Sequence, residues 1–352
     1  MSAKTMTSLE RTFATLGGEE PDRVPLFLNL TLHGAKELGL PLPEYFRRPE
    51  NIVQAQLRLA DRFHGDALSP FSYASAEFEA FGGETVFSED GPPNAGQPVI
   101  RRPEDILALQ PPRIADCPSL QLILTATRQL YAARGGQAPI LGVAVSPFSL
   151  PVMQMGFEHY LDLIIDRPDL FQRLMQVNQL YCVEWANAQL AAGATSIIYF
   201  DPVSSLSIVP RDLYLRTGYP VACQTIPQIK GAVGYHFASG RCLDILPDVA
   251  QTGAVMVGVS AEEDLRALKA AAVPRLAVAG NLNGVEMRRW TPEQAEAAVK
   301  KAIAAAGKGG RWILTDNHGE IPFQVPDDVL SALSEATARW GTYPLDWVEA
   351  DA

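Results

Sequence analysis

Short apolar runs alternate along this chain with longer segments whose apolar residues recur every three or four positions. The runs are rich in β-branched residues and are bounded by glycine, proline and polar residues, so we predict a strand for each of them. The eight predicted strands cover residues 24–30, 67–70, 140–145, 195–200, 231–235, 254–259, 275–279 and 311–314. The helical periodicity predicts helices over residues 6–16, 51–63, 119–133, 168–192, 210–217, 241–252, 261–271, 292–306 and 327–340.

The order of these elements indicates the fold class. Strand and helix alternate through the second half of the chain, which is typical of parallel strands joined by right-handed crossovers. Eight strands favour a closed (β/α)8 TIM barrel over an open doubly wound sheet, and we expect one α/β domain over residues 1–352 with an N-terminal helix. The Gly/Pro-rich passage within 71–118 predicts an insertion or hairpin over the barrel mouth.

Composition narrows the choice of partners and compartment. The chain has 29 basic and 40 acidic residues, a net charge of −11, and no basic cluster, which argues against nucleic acid and anionic membranes as partners. Its four cysteines show no CxxC spacing, so a disulfide framework is not indicated. The first residues lack the apolar core of a signal peptide and no apolar run is long enough to span a bilayer, so we expect a soluble, cytoplasmic protein.

Polar residues follow several predicted strands, at the end of a parallel barrel where active sites lie. His236 ends the fifth strand, Asp201 follows the fourth, Asn281 follows the seventh, and His318 follows the eighth. Each has a simpler interpretation: a hydrogen-bonded histidine or loop residue, a cap for Asp201 and a turn residue for Asn281. Their shared position at strand ends favours a functional role.

Three segments carry a family resemblance: HFASGRCLDILPDVAQTGA, AVAGNLNG and ILTDNHGEIP, in that order and spacing. On the basis of these segments, the chain resembles the uroporphyrinogen decarboxylase superfamily. The resemblance extends from RTFATLGGEEPDRVP to the last predicted helix. The resemblance implies a (β/α)8 barrel and one of two activities. These are decarboxylation of a porphyrinogen and transfer of a methyl group from methylcobalamin on a partner protein to a thiol.

The segment PFSYASAEFEAFGGE is similar to the methyltransferase branch, with Glu77 and Glu79 at that branch's acidic positions. The arginine-rich signature and the Phe-Ser-Asp aspartate of the decarboxylases are absent, and Tyr73 follows the Phe-Ser pair. A carboxylate-rich tetrapyrrole needs arginines and a central anion. Porphyrinogen decarboxylation is therefore the weaker interpretation.

The methyltransferase branch implies a zinc site with a His-X-Cys motif and a distant cysteine, which turns a bound thiol into a nucleophile. His236 matches the histidine, but Ala238 stands where the first cysteine belongs and TDNHGE supplies no second one. His318 is the nearest candidate in that segment. Two imidazoles with a carboxylate such as Glu77, Glu79 or Asp201 would form an alternative metal site.

We therefore expect a corrinoid-dependent methyltransferase that uses a methyl-corrinoid carrier protein and a small acceptor such as a thiol or folate. Alternatives are a carboxy-lyase acting on another substrate and a non-catalytic corrinoid or tetrapyrrole binder. Oligomeric state is left open. The expected catalytic residues are His236, His318 and Asp201; the expected substrate-binding residues are Glu77, Glu79, Tyr73, Asn281 and Phe148; the expected metal ligands are His236, His318 and Glu77.

Overall fold

A computed structural model describes residues 5–71 and 73–348. Within them, six parallel strands lie side by side in chain order, and a separate two-stranded antiparallel hairpin precedes them. The hairpin strands are β1 (Thr85–Val86) and β2 (Asn94–Ala95), and the parallel strands are β3 (Leu141–Val145), β4 (Ser196–Phe200), β5 (Ala232–His236), β6 (Met256–Gly258), β7 (Ala277–Ala279) and β8 (Trp312–Ile313).

The first two predicted strands close this sheet into a barrel. Leu26 forms a parallel bridge with Leu314 beyond β8, and Leu68 forms one with Ile140 before β3. The two closing segments meet each other where the Asp66 amide donates a 2.7 Å hydrogen bond to the Leu26 carbonyl. Eight strand positions therefore surround one interior, which confirms the barrel prediction.

Helices cover the outside of the barrel. They are α1 (Ser8–Gly17), α2 (His33–Leu38), α3 (Leu42–Tyr45), α4 (Pro49–Phe63), α5 (Ser75–Ala80), α6 (Pro118–Arg134), α7 (Pro151–Met155), α8 (Phe157–Asp166), α9 (Pro168–Ala191), α10 (Arg211–Arg216), α11 (Gly218–Thr225), α12 (Leu246–Val249), α13 (Leu265–Ala272), α14 (Pro292–Ala306) and α15 (Asp327–Trp340). The predicted bounds of α14 and α15 are confirmed.

The helix predicted over 241–252 is wrong in extent. Only α12 is α-helical there, after a single 3₁₀ turn at Leu243–Ile245. Pro247 lacks an amide proton and suits only the first turn of a helix, so the helix starts beside it. The amides of Cys242 and Leu243 are instead bound by the Glu263 carboxylate at 2.8 and 2.9 Å.

Strand register decides which side chains face the interior. Ile198, Gly234, Met256 and Ala277 occupy paired positions on β4 to β7. Met256 and Ala277 belong to a small apolar cluster separate from the large one that includes the surrounding helices. Side chains alternate along a strand, so this row and every second residue from it point inward. The next inward row contains Phe200, His236, Gly258 and Ala279, at the carboxyl ends of the strands.

The opposite end of the barrel is held by a buried ion network. Arg11 of α1 contacts Asp22 at 2.7 Å and Asp66 at 2.6 Å, and Arg23 contacts Asp66 at 2.7 Å. Asp66 is inaccessible to solvent and also accepts the Leu26 amide at 2.8 Å. Because every charge has an opposite partner, the network can be buried and fixes α1 against the first two barrel strands.

The segment predicted as an insertion contains the β1–β2 hairpin. The side-chain amide of Gln324, which follows β8, donates a 2.7 Å hydrogen bond to the carbonyl of Asp90 between the hairpin strands. The hairpin therefore contacts the chain that leaves the mouth end of β8. Across 5–71 and 73–348 no helix has the length and hydropathy needed to cross a membrane.

Candidate active site

His236 is the last residue of β5 and lies on the inward face, at the barrel mouth. Its ring centre is 5.8 Å from that of Phe200 on β4. On the other side β6 offers Gly258, whose missing side chain makes room for the ring: an added Cβ would lie 2.3 Å from Cδ2 of His236. His236 is only 8% exposed. The predicted position of this imidazole is therefore the observed one.

A tight turn fixes which nitrogen of His236 carries the proton. Ala238 has a φ of 51°, a left-handed conformation that costs an alanine about 1 kcal/mol. In that conformation its amide donates a 2.9 Å hydrogen bond to Nδ1 of His236. Burial and the nearby His318 lower the pKa of His236 to about 4, so the ring is neutral near pH 7. A neutral ring that accepts at Nδ1 carries its proton on Nε2 and presents it as a donor.

His318 meets Ser239 beside this ring. Nδ1 of His318, in the loop after β8, is 2.6 Å from Oγ of Ser239, in the loop after β5. The Ser260 hydroxyl after β6 donates a 2.8 Å hydrogen bond to the Ser239 carbonyl, and the side-chain Nδ2 of Asn281 after β7 donates one of 2.7 Å to the Ser260 carbonyl. These contacts link the loops that follow β8, β5, β6 and β7. Asn281 supports this chain of contacts.

The loop after β8 carries two carboxyl groups, those of Asp316 and Glu320. Asp316 is buried, which raises its pKa, although its carboxylate accepts the amides of His318 at 2.7 Å and Gly319 at 3.0 Å. Glu320 accepts hydrogen bonds from the Thr31 hydroxyl and the Leu32 amide. Part of Glu320 reaches the surface, but burial of its carboxyl group raises the pKa to about 7. Near neutral pH Glu320 can therefore hold or release a proton.

Asp201 does not face the mouth, contrary to the expectation from the sequence. It follows Phe200, an inward residue, and so points to the outer side of the strands. There it is inaccessible to solvent and accepts hydrogen bonds of 2.6 Å from each of the hydroxyls of Ser146, Ser149 and Tyr235. A carboxylate with three hydroxyl donors and no exposure stabilises the packing of helices on the barrel.

Phe148 also differs from its predicted role as a substrate contact. It is inaccessible to solvent, and its ring packs edge-on against Tyr160 and Phe171 at centre distances of 5.8 and 6.2 Å. Apolar residues of the loop after β3 thus fill the core between β3 and its helices. Tyr73 and Glu79 contact each other at 3.3 Å beside the hairpin, where Tyr73 packs on Phe87.

Glu77 lies apart from the two imidazoles. Oε1 accepts the Val145 amide at 2.8 Å, and Oε2 is buried without a hydrogen-bond partner among the residues described. Tyr181 and Trp185 of α9 lie close enough to lower the pKa of Glu77, but their own polar atoms are also left without partners of good geometry. Burial outweighs them and raises the pKa to about 8. Glu77 is a protonated core residue near pH 7.

We expect Glu77→Gln to change the pH dependence of stability. The unfolded carboxyl group loses its proton near pH 4.5, and the folded one keeps it to about pH 8. The wild-type free energy of unfolding therefore falls as pH rises through this window, by about 5 kcal/mol, and the glutamine does not titrate. Denaturant titrations from pH 4 to 9 should show that the free energy of unfolding of the variant increases relative to that of the wild type as pH rises. Parallel curves would contradict a buried, protonated Glu77, and exposed Glu158→Gln is the control.

A zinc site is not formed by these residues. Among residues 5–71 and 73–348 no group of three histidine, cysteine, aspartate or glutamate side chains is arranged to hold a metal ion. His236 presents an N–H rather than a lone pair at Nε2, because Nδ1 already accepts the Ala238 amide. The residues present therefore do not fit the expected metal-binding set of His236, His318 and Glu77.

Sequence reasoning missed Ser239, Gly258, Thr31 and Glu320. The sequence held a signal for two of them, since Ser239 is three residues after His236 and Glu320 two residues after His318. For Thr31 and Gly258 the decisive observation is spatial. Thr31 reaches Glu320 across the closure of the barrel, and Gly258 shares a register row with His236.

The fold and this mouth define a (β/α)8 barrel with a candidate site in the loops after β5 to β8. The family model described as uroporphyrinogen decarboxylase (URO-D) matches residues 7–340. The chain belongs to this family.

Two relatives named as uroporphyrinogen decarboxylases agree with this assignment, and one solved structure shares the fold. The uroporphyrinogen decarboxylase of Herminiimonas arsenicoxydans is 24% identical over 322 residues, covering 84% of this chain and 87% of the relative. That of Coxiella burnetii is 26% identical over 358 residues, covering 94% and 95%. A methyltransferase from Methanosarcina mazei superposes with a TM-score of 0.81 at 21% identity, covering 95% of this chain and 99% of its own. At that identity the likeness shows a shared fold.

Proposed function

We propose that this protein transfers a methyl group from a methyl-corrinoid, bound to a carrier protein, to a small thiol. The observation that carries the proposal is the charge of the barrel mouth. None of the first four residues after any of the eight strand positions is lysine or arginine. Within the same four residues the loop after β8 supplies the carboxyl group of Asp316, while Glu320 lies seven residues after β8 and Arg241 five residues after β5.

This charge pattern bears on the substrate. Uroporphyrinogen, for which the relatives above are named, carries several carboxylates and needs cationic groups to bind them. A mouth that places carboxyl groups near the neutral His236 ring repels such a ligand and suits one without negative charge. Folates also bear carboxylates, so among the expected acceptors a neutral or cationic thiol fits better. The Methanosarcina mazei protein of the same fold is a methyltransferase, which agrees with this direction.

The residues at the mouth would position the acceptor and not perform cobalt chemistry. The Nε2 proton of His236 has no partner among the described residues and would donate a hydrogen bond to the acceptor. The ring is held in this orientation, because Phe200 packs beside it and the Ala238 amide donates to Nδ1. A fixed acceptor below a docked carrier would place its nucleophilic atom in line with the methyl group. The hairpin near the mouth would contribute to the docking surface.

The test supplies purified protein with a methylated corrinoid carrier and thiols of different charge. We expect the corrinoid to be demethylated, with cysteamine accepting methyl groups faster than mercaptoethanesulfonate by at least tenfold, since the acids at the mouth repel the anionic thiol. Absorbance of the corrinoid and mass spectrometry of the thioether report the reaction. Absence of demethylation with every thiol, using a carrier proven active with another enzyme, would contradict the proposal.

One observation favours a second candidate, a carboxy-lyase. With a pKa of about 7, Glu320 can supply the proton that replaces carbon dioxide on a substrate carbon. Release of carbon dioxide from a carboxylated substrate without corrinoid would select this activity. Tight corrinoid binding with neither reaction would select a binding protein.

The four cysteines are unpaired, which agrees with our proposal of a reducing cytoplasmic location.

A further inference from the structure

Ser239 and His318 form a hydroxyl–imidazole pair that the mouth geometry leaves accessible. Oγ and Nδ1 are 2.6 Å apart, within the range of a strong hydrogen bond. His318 is exposed and Ser239 partly exposed, so a bound ligand and water can both reach the pair. Gly319, next to His318, lies against the His236 ring: an added Cβ would be 3.6 Å from Nε2. The pair therefore adjoins the N–H donor of His236.

Both partners are held by their backbones rather than by the hydrogen bond between them. The Ser239 carbonyl accepts the Ser260 hydroxyl at 2.8 Å, and the His318 amide donates to buried Asp316 at 2.7 Å. The side chains of Ser239 and His318 are thus free to exchange a proton without loss of the loop structure. A serine hydroxyl within hydrogen-bond reach of an imidazole is the arrangement by which enzymes move protons.

We propose that Ser239 and His318 form a metal-independent base that deprotonates the acceptor thiol. The inference rests on the methyl transfer proposed above. The thiol S–H bond breaks as its proton passes to Oγ of Ser239, and the Ser239 hydroxyl proton passes to Nδ1 of His318. The sulfur then forms the S–C bond while the C–Co bond of the methyl-corrinoid breaks and its electron pair stays on cobalt. Exposed His318 finally returns its proton to water.

The neighbouring groups suit this transfer. Asp316 interacts favourably with the charge of His318, so its carboxylate stabilises the imidazolium that the transfer creates. His236 stays neutral near pH 7 and can donate from Nε2 to the developing thiolate. A free thiol has a pKa of about 8.5, so a base of this kind needs to supply only a modest driving force near neutral pH.

The experiment measures thiolate formation directly, without corrinoid. Cysteamine is added to protein dialysed against a chelator, and the ultraviolet absorbance of the thiolate is recorded for wild type, Ser239→Ala, Ser239→Thr and His318→Gln. His64→Gln, which removes an exposed imidazole away from the barrel mouth, serves as the control.

We expect thiolate on the chelated wild type and on Ser239→Thr, and at least a tenfold smaller signal for Ser239→Ala and His318→Gln. With carrier added, kcat for His318→Gln should fall about 10²- to 10⁴-fold at nearly unchanged KM for the carrier. Thiolate that appears only with added metal, or equally in all variants, would overturn the inference. Thiolate formation in the wild type without methyl transfer would leave the base in place and contradict the proposed function instead.

Discussion

Replacement of Gly258 by alanine is expected to lower kcat/KM for methyl transfer about 100-fold. The added Cβ would lie 2.3 Å from Cδ2 and 2.8 Å from Nε2 of His236, distances at which one of the two groups must move. The imidazole cannot yield easily, because the Ala238 amide holds Nδ1 and Phe200 packs beside the ring. Since an overpacked site also strains the barrel, we expect a loss of about 1–3 kcal/mol in the free energy of unfolding.

Steady-state kinetics and urea unfolding would measure both effects. Gly17→Ala is the matched control, because an added Cβ there meets no atom within 4 Å. In a His236→Ala background the substitution at Gly258 should destabilise much less, since the clashing ring is gone. Full activity and unchanged unfolding of Gly258→Ala would show that the His236 ring does not need its observed position.

Replacement of Asp201 by alanine is expected to destabilise the fold by about 4–5 kcal/mol. The carboxylate accepts three hydrogen bonds of 2.6 Å at a site without solvent access. Its loss would leave the hydroxyls of Ser146, Ser149 and Tyr235 buried without that partner, and hydrogen bonds to a charged group each stabilise by about 1.5–3 kcal/mol. Thermal and denaturant unfolding would measure the change.

The isosteric Asp201→Asn variant separates this structural role from a catalytic one. Its amide oxygen can still accept from the two serines, and the Tyr235 hydroxyl can rotate to accept from the amide nitrogen. We expect kcat/KM within tenfold of wild type together with a smaller loss of stability. A fall of 10²-fold or more at wild-type stability would instead assign Asp201 to proton transfer.

The fold could be predicted from the sequence because its signals are local. Proline at the start of α14 and the apolar periodicity of α15 mark both helices, and eight apolar runs mark the strand positions. The sequence predicts the two closing segments as full strands, yet they pair with their neighbours through single bridges at Leu26 and Leu68.

The site could be predicted only in part, for a geometric reason. A barrel strand is apolar on both faces, so SIIYF does not reveal whether its last residue points inward. His236 lies at the mouth as predicted, whereas Asp201, one residue past the inward Phe200, points outward. The pairing of Ser239 with His318 depends on two loops 79 residues apart, and nothing in either segment fixes their approach.

The most direct test of the proposed methyl transfer follows the carbon atom itself. A carrier bearing a ¹³C-methyl corrinoid is mixed with chelator-treated protein and cysteamine for a single turnover, and NMR locates the label. The account predicts the label on sulfur, as the methyl thioether, with the corrinoid demethylated in equal amount. Label that remains on the corrinoid, while the same preparation releases carbon dioxide from a carboxylated substrate, would contradict it.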